Sequence, residues 1–136
     1  MTTYVLDSAS LIRYVDNEAG AARVEEIVSA CAAWQAKICI SAIQWGEVAG
    51  NFRKRFGAAQ ESYILSNVLP SEATIVPANA ARAVRAAALR VDHKISYADA
   101  FAIDLTMESP DRVLVTADYG FKSVADLAQI EFLPAI

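Results

Sequence analysis

A chain of 136 residues, 55% hydrophobic and 21% charged, holds one ordinary domain with a sizeable core and has no room for two. Its formal net charge of −4 excludes nucleic-acid binding by bulk positive charge, so any such role must come from a local site. Five Gly and four Pro leave neither a linker nor a low-complexity tract, no apolar run reaches the roughly 20 residues that cross a bilayer, and the N-terminus lacks a signal-peptide pattern.

In chain order, Thr3–Leu6 reads as a central strand, and Ser8 or Ser10 opens a short helix to about Val15. Glu18–Trp34 is predicted helical, with Val24, Ile27, Val28 and Cys31 at helical spacing. Lys37–Ile40 is a second strand. Ser41-Ala-Ile-Gln44 has the form of a capping box and starts a helix that Gly57 stops near Phe56. Ala58–Val68 is helical, Thr74–Val76 a short strand closed by Pro77, and Ala78–Val91 an Ala-rich helix. Ser96-Tyr-Ala-Asp99 is another capping-box pattern, opening a helix to about Met107. Val113–Thr116 is the fourth strand; a short helix near Ser123–Leu127 precedes a last strand, Ile130–Leu133. Short apolar strands alternating with helices predict a mostly parallel sheet of four to five strands between helical layers, spanning residues 1–136 as a single domain. Ligands of such sheets sit beyond the carboxyl ends of the strands. Cys31 and Cys39, in apolar segments without His neighbours, read as buried and reduced, which fits a cytoplasmic compartment.

Four acids stand out by context. Asp7 ends the first strand, Glu47 lies in "SAIQWGEVAGN", Asp99 sits in the first turn of "SYADAFAIDL", and Asp118 follows the fourth strand in "VLVTADYGF". Each has a plain structural role open to it: Asp7 as a helix cap, Glu47 as a solvated helix residue, Asp99 as part of a capping box, Asp118 as a turn residue. Yet all four have apolar or small neighbours, and Gly46 and Gly50 predict a close backbone approach beside Glu47. Converging carboxylates repel one another, and a divalent cation is the commonest neutraliser; oxygen donors without His or Cys suit Mg²⁺ or Mn²⁺. Asp104, about 140° round the helix from Asp99, either reaches the rim of such a site or is a solvated or salt-bridged surface residue. Asp16, Glu18, Glu25 and Glu26 read as ordinary surface acids.

"VLDSASLI", "ISAIQWGEVAGN", "ISYADAFAIDL" and "VLVTADYGF" occur in the order and approximate spacing of the PIN-domain nucleases, and over nearly its whole length the chain resembles the small VapC-type toxins of toxin–antitoxin pairs. The resemblance implies a PIN-like α/β/α sandwich in which Asp7, Glu47 and Asp99 are metal-binding acids and Asp118 the fourth. Thr116 matches the small hydroxyl residue that accompanies the last acid, and Ser8 the hydroxyl position after the first. Ala117 departs from the basic or polar residue often found there. The implied activity is Mg²⁺- or Mn²⁺-dependent hydrolysis of RNA phosphodiesters. The implied partners are a cognate antitoxin, an RNA substrate and a second copy in a homodimer; no membrane is expected.

Arg53, Lys54 and Arg55 form the one tight basic cluster, either contacting RNA phosphates or closing a helix C-terminus, where cations suit the dipole. Arg82, Arg85 and Arg90 are open to the same two readings, and His93 reads as a loop residue. A haloacid-dehalogenase-type phosphatase would want an acid where Ala9 stands. A response-regulator receiver would want an acid pair after the first strand. Neither pattern is present. The alternatives are a catalytically inactive PIN-like RNA- or protein-binding module and a small metal-dependent phosphatase.

Overall fold

The computed structural model describes residues 1–135. Its strands are β1 (Thr3–Leu6), β2 (Lys37–Ser41), β3 (Thr74–Val76), β4 (Arg112–Thr116) and β5 (Gln129–Phe132). Its α-helices are α1 (Ser8–Val15), α2 (Ala21–Ala32), α3 (Ala42–Phe56), α4 (Ala58–Asn67), α5 (Ala80–His93) and α6 (Tyr97–Thr106), with a 3₁₀ helix at Tyr119–Val124. The strands form one sheet in the order β3-β2-β1-β4-β5, every pair parallel.

Burial on both faces explains why the central strands are apolar without alternation. Leu6, Ile38, Ile40 and Val115 pack on one side with Leu11 of α1, Val24 and Ile27 of α2, Val48 and Phe52 of α3 and Ile64 of α4. Val5, Cys39 and Leu114 pack on the other with Ala102, Ile103 and Leu105 of α6 and with Phe121 and Val124. Helix α5 joins α6 through Ala86, Ala100 and Phe101. Cys31 and Cys39 are both buried and unpaired, and burial pushes the Cys39 thiol up to about 11, which leaves it unreactive at neutral pH. Among the described residues no helix is long and apolar enough to cross a membrane.

The strand order places the site. From β1 the chain builds outward through β2 to β3, then returns to lay β4 on the opposite side of β1 and β5 beyond it. The direction of winding thus reverses between β1 and β4, and the crevice beyond their carboxyl ends is where open parallel sheets take ligands. Leu6 and Val115 are register partners, so Asp7 and Thr116 emerge side by side at that crevice.

Several boundaries differ from the sequence reading. Helix α5 runs Ala80–His93 rather than Ala78–Val91, because Asn79 caps it by accepting the Arg82 N–H, and His93 closes its last turn instead of lying in a loop. Helix α2 starts at Ala21 rather than Glu18, because Gly20 precedes it in the left-handed region at φ 93°, and it ends before Trp34, itself at φ 60°. The short helix expected near Ser123–Leu127 is the 3₁₀ turn that Asp118 begins. The last strand lies one residue earlier, at Gln129–Phe132. Gly20 is required for space as well as for its φ: a Cβ there would lie 2.8 Å from the Cβ of Leu133. Gly20→Ala is expected to cost about 3 kcal/mol from backbone strain plus overpacking, or about 10 °C in melting temperature, measured by thermal unfolding.

Candidate functional site

Strand β1 stops because Asp7 turns its side chain back on the chain. Asp7 is the N-cap of α1: its Oδ1 accepts the Ser10 backbone N–H at 2.9 Å, and the Ser10 hydroxyl closes the reciprocal half of a capping box. Its other carboxylate oxygen accepts the hydroxyl proton of Thr116 from the end of β4. The Thr116 hydroxyl in turn accepts the Asp118 backbone N–H at 2.9 Å, and Asp118 Oδ1 accepts the Gly120 N–H at 2.8 Å. A hydroxyl and a carboxylate therefore end β4 for a reason: Thr116 braces Asp7 across the switch point, and Asp118 shapes the turn that leaves it. The cap and turn roles open to Asp7 and Asp118 are real, and both residues also reach the crevice.

Asp7 is 2% exposed, and burial pushes its carboxyl up to about 6, against the lowering effect of the Thr116 and Ser10 hydrogen bonds; the nearby Asp99 charge adds to the rise. Asp99 is half-buried in the first turn of α6, where its own N–H donates to the Ser96 hydroxyl. Burial raises its carboxyl as well, and the charges of Asp118 and Glu47 push the same way. Glu47 is exposed on α3, and its Oε1 accepts the Ser8 hydroxyl at 3.2 Å, beside Asp7. The structure thus gathers Asp7, Glu47, Asp99 and Asp118 from α3, α6 and the ends of β1 and β4 into one field of mutual repulsion.

This set is chemically suited to a hard divalent cation. All donors are oxygens, one carboxylate is buried and braced, and each of its oxygens keeps a lone pair beyond the hydrogen bond it accepts. Among the described residues no three acidic, His or Cys side chains close into a ready-made coordination cage. A cation held here would be completed by water, as Mg²⁺ usually is.

Several expectations change. Gly46 and Gly50 do not mark a close approach: a Cβ at either would meet nothing within 4 Å, so Glu47 joins the site from an open helix face, through Ser8. Asp104 lies away from the rim. It is 5% exposed and paired with Arg82 at 3.3 Å and Arg85 at 2.6 Å, while Glu108 bonds Arg82 and Arg112; the four residues and Asp104 tie α5 and α6 to β4. Arg82 and Arg85 are therefore structural cations. Arg53 pairs with Glu61 and Arg55 with Asp16, so two of the three basic residues of the α3 C-terminus are engaged in ion pairs.

One residue of the site escaped the sequence reading. Gln44 does not complete a capping box; Ser41 caps α3 by accepting the Ile43 N–H. The Gln44 side chain is buried, accepts the Ser8 N–H at 2.7 Å and donates to the Ala98 carbonyl at 2.9 Å. The signal was a Gln three residues before Glu47, and the capping pattern masked it.

The profile of the PIN domain family matches residues 4–127. Comparison with curated proteins finds no match. Among solved structures, the fold is similar to VapBC2 from Rickettsia felis bound to a DNA fragment from their promoter, at 19% identity, with 98% of this chain and 100% of that chain covered and a TM-score of 0.74. A toxin–antitoxin complex from Klebsiella pneumoniae matches at 22% identity, covering 98% of this chain and 99% of that chain, with a TM-score of 0.71. Mycobacterium tuberculosis VapC20, a sarcin–ricin-loop-cleaving toxin, matches at 16% identity, covering 96% of this chain and 99% of that chain, with a TM-score of 0.73.

Proposed function

Because the chain belongs to the PIN-domain family, we propose that it is a Mg²⁺- or Mn²⁺-dependent endoribonuclease and the toxin of a toxin–antitoxin pair. The observation that carries this reading is the buried Asp7 carboxylate, braced by Thr116 at the switch point and facing a second raised carboxyl at Asp99. Asp7, Asp99 and Asp118 would hold the cation, with Glu47 acting directly or through water. Bound there, a divalent cation supplies Lewis acidity toward a phosphoryl oxygen and lowers the pKa of water.

The chain's own residues do the rest. Thr116 and the Ser10 N–H fix the Asp7 carboxylate in one orientation, so little reorganisation is needed when a cation or phosphodiester arrives. Glu47, held only through the Ser8 hydroxyl on an exposed helix face, is free to swing toward water and accept its proton. The negative field of the cluster would repel a phosphodiester unless a cation is present, which makes cleavage metal-dependent by electrostatics alone.

Purified protein is expected to cleave single-stranded RNA with Mn²⁺ or Mg²⁺ and to lose cleavage in excess EDTA, recovering on re-addition of either ion. Cleavage undiminished by EDTA, or tight zinc binding through cysteine, would contradict the reading.

The VapBC structures support an antitoxin as partner, and the acidic crevice suits a basic side chain standing in for the cation. Exposed Phe56 and Tyr63 near the α3–α4 connection, and Val84 and Val91 on α5, are apolar surface that an antitoxin or a second copy in a homodimer would cover. Expression of this chain alone is expected to slow growth, and coexpression with the neighbouring gene product to restore it. Unimpaired growth at high levels of soluble protein would count against a toxin.

A further inference from the structure

We infer that Gln44 is a positioning residue that sets the separation of Asp7 and Asp99; the inference rests on the metal-site reading above. Asp7 belongs to the β1–α1 junction and Asp99 to the first turn of α6, two segments 92 positions apart in the chain with no direct hydrogen bond between their carboxylates. As carboxylates they carry like charge, which drives the two segments apart. Something must hold the segments at a fixed distance before a cation binds.

The Gln44 amide does so. Its carbonyl oxygen takes the Ser8 N–H at 2.7 Å, one of the four α1 amides with no partner inside the helix. Its nitrogen gives one proton to the Ala98 carbonyl at 2.9 Å, next to Asp99. At 1% exposure the side chain cannot exchange these partners for water, and no buried side-chain oxygen or nitrogen among the described residues is left without a partner. One side chain on α3 thus links the residue after Asp7 to the residue before Asp99. Only an amide of this length offers an acceptor on one side and donors on the other; a carboxylate in its place would add a like charge beside Asp99.

The test uses Gln44→Met, which keeps the volume and removes both hydrogen bonds, and Gln44→Asn, which stays polar and is too short to span both partners. The second variant serves if the first fails to fold. Three readouts are taken on the full chain: exchange of the Ser8 amide in EDTA, Mn²⁺ affinity by calorimetry, and kcat and KM for RNA cleavage. The expected result is loss of Ser8 protection with Val48 in the core of α3 unchanged, and Mn²⁺ binding weakened about tenfold. The same positioning role lowers kcat at limiting Mn²⁺, restores it at high Mn²⁺, and leaves KM for RNA unmoved. A side chain that merely packs would lower the melting temperature without this metal-reversible effect on kcat. Unchanged Ser8 exchange, or wild-type Mn²⁺ affinity in a variant that has lost the Ser8 bond, would overturn the proposal. If wild-type protein binds no Mn²⁺, the metal reading itself fails, and with it Gln44's role toward the cation, while Ser8 exchange still decides whether Gln44 holds the junction.

Discussion

Asp7→Asn is expected to lose RNA cleavage by at least about a hundredfold while, in EDTA at pH 7, melting several degrees above the wild type. The loss follows from removing the one buried, braced carboxylate of the acidic set. The gain follows from its raised pKa. Asp7 titrates near 6 in the folded chain against an ordinary value of 3.8, so the folded state binds this proton more tightly than the unfolded one. Its contribution to stability is fully present below about pH 4 and is lost as pH rises through about 6. At pH 7 the wild type carries the full penalty of a buried charge, up to about 3 kcal/mol from the gap between the two values.

Asn removes that charge while its side-chain oxygen still accepts the Ser10 N–H and its NH₂ can donate to the Thr116 hydroxyl. Thr116 must then find another acceptor for its own proton, which offsets part of the gain. A net stabilisation of about 1–2 kcal/mol remains, or roughly 4–7 °C in a domain of this size. Metal-free wild type should therefore gain stability as pH falls from 7 toward about 4.5, and the variant should gain less. Saturating Mg²⁺ should narrow the gap, because the cation stabilises the wild type more. If Asp7 were a helix cap alone, Asn would cap as well and the two melting curves in EDTA would coincide.

Asp104→Ala is expected to move in the opposite direction. Asp104 neutralises Arg82 and Arg85 between α5 and α6. Arg82 is a mostly buried cation, and removing one of its partners leaves it only Glu108. Breaking such a pair costs about 3 kcal/mol, or about 10 °C, discounted on the Arg85 side because that guanidinium is half exposed. At temperatures where the variant is folded, its cleavage rate and Mn²⁺ affinity should equal those of the wild type. Thermal unfolding beside cleavage assays measures both. A variant with normal stability and lost cleavage would return Asp104 to the site.

Much of this architecture was legible because it is written in local pattern. The apolar runs Tyr4–Leu6 and Val113–Val115 read as strands buried on both faces, and each is followed by the polar pair that ends it: Asp7 with Ser8, and Thr116 with Asp118. Parallel strands fix which end of the sheet those residues occupy, so their convergence could be expected without coordinates. What was not legible depends on facing partners. Asp99 and Asp104 sit on one helix with similar neighbours, and only the arginines of α5 decide that one faces the crevice and the other an ion-pair network. Gly46 and Gly50 have the spacing of a close contact, but that face of α3 meets open space. Gln44 has the position of a capping residue and the length to reach past the cap to two other segments. Side-chain reach across elements leaves no periodic trace in a sequence.

The most direct test of the central claim is a Mn²⁺ titration of purified wild type and Asp7→Asn, followed by electron paramagnetic resonance of the free ion. The acidic crevice predicts saturable Mn²⁺ binding by the wild type, competed by Mg²⁺ and strongly weakened in Asp7→Asn while the variant remains folded. Equal Mn²⁺ binding by the two proteins would contradict it.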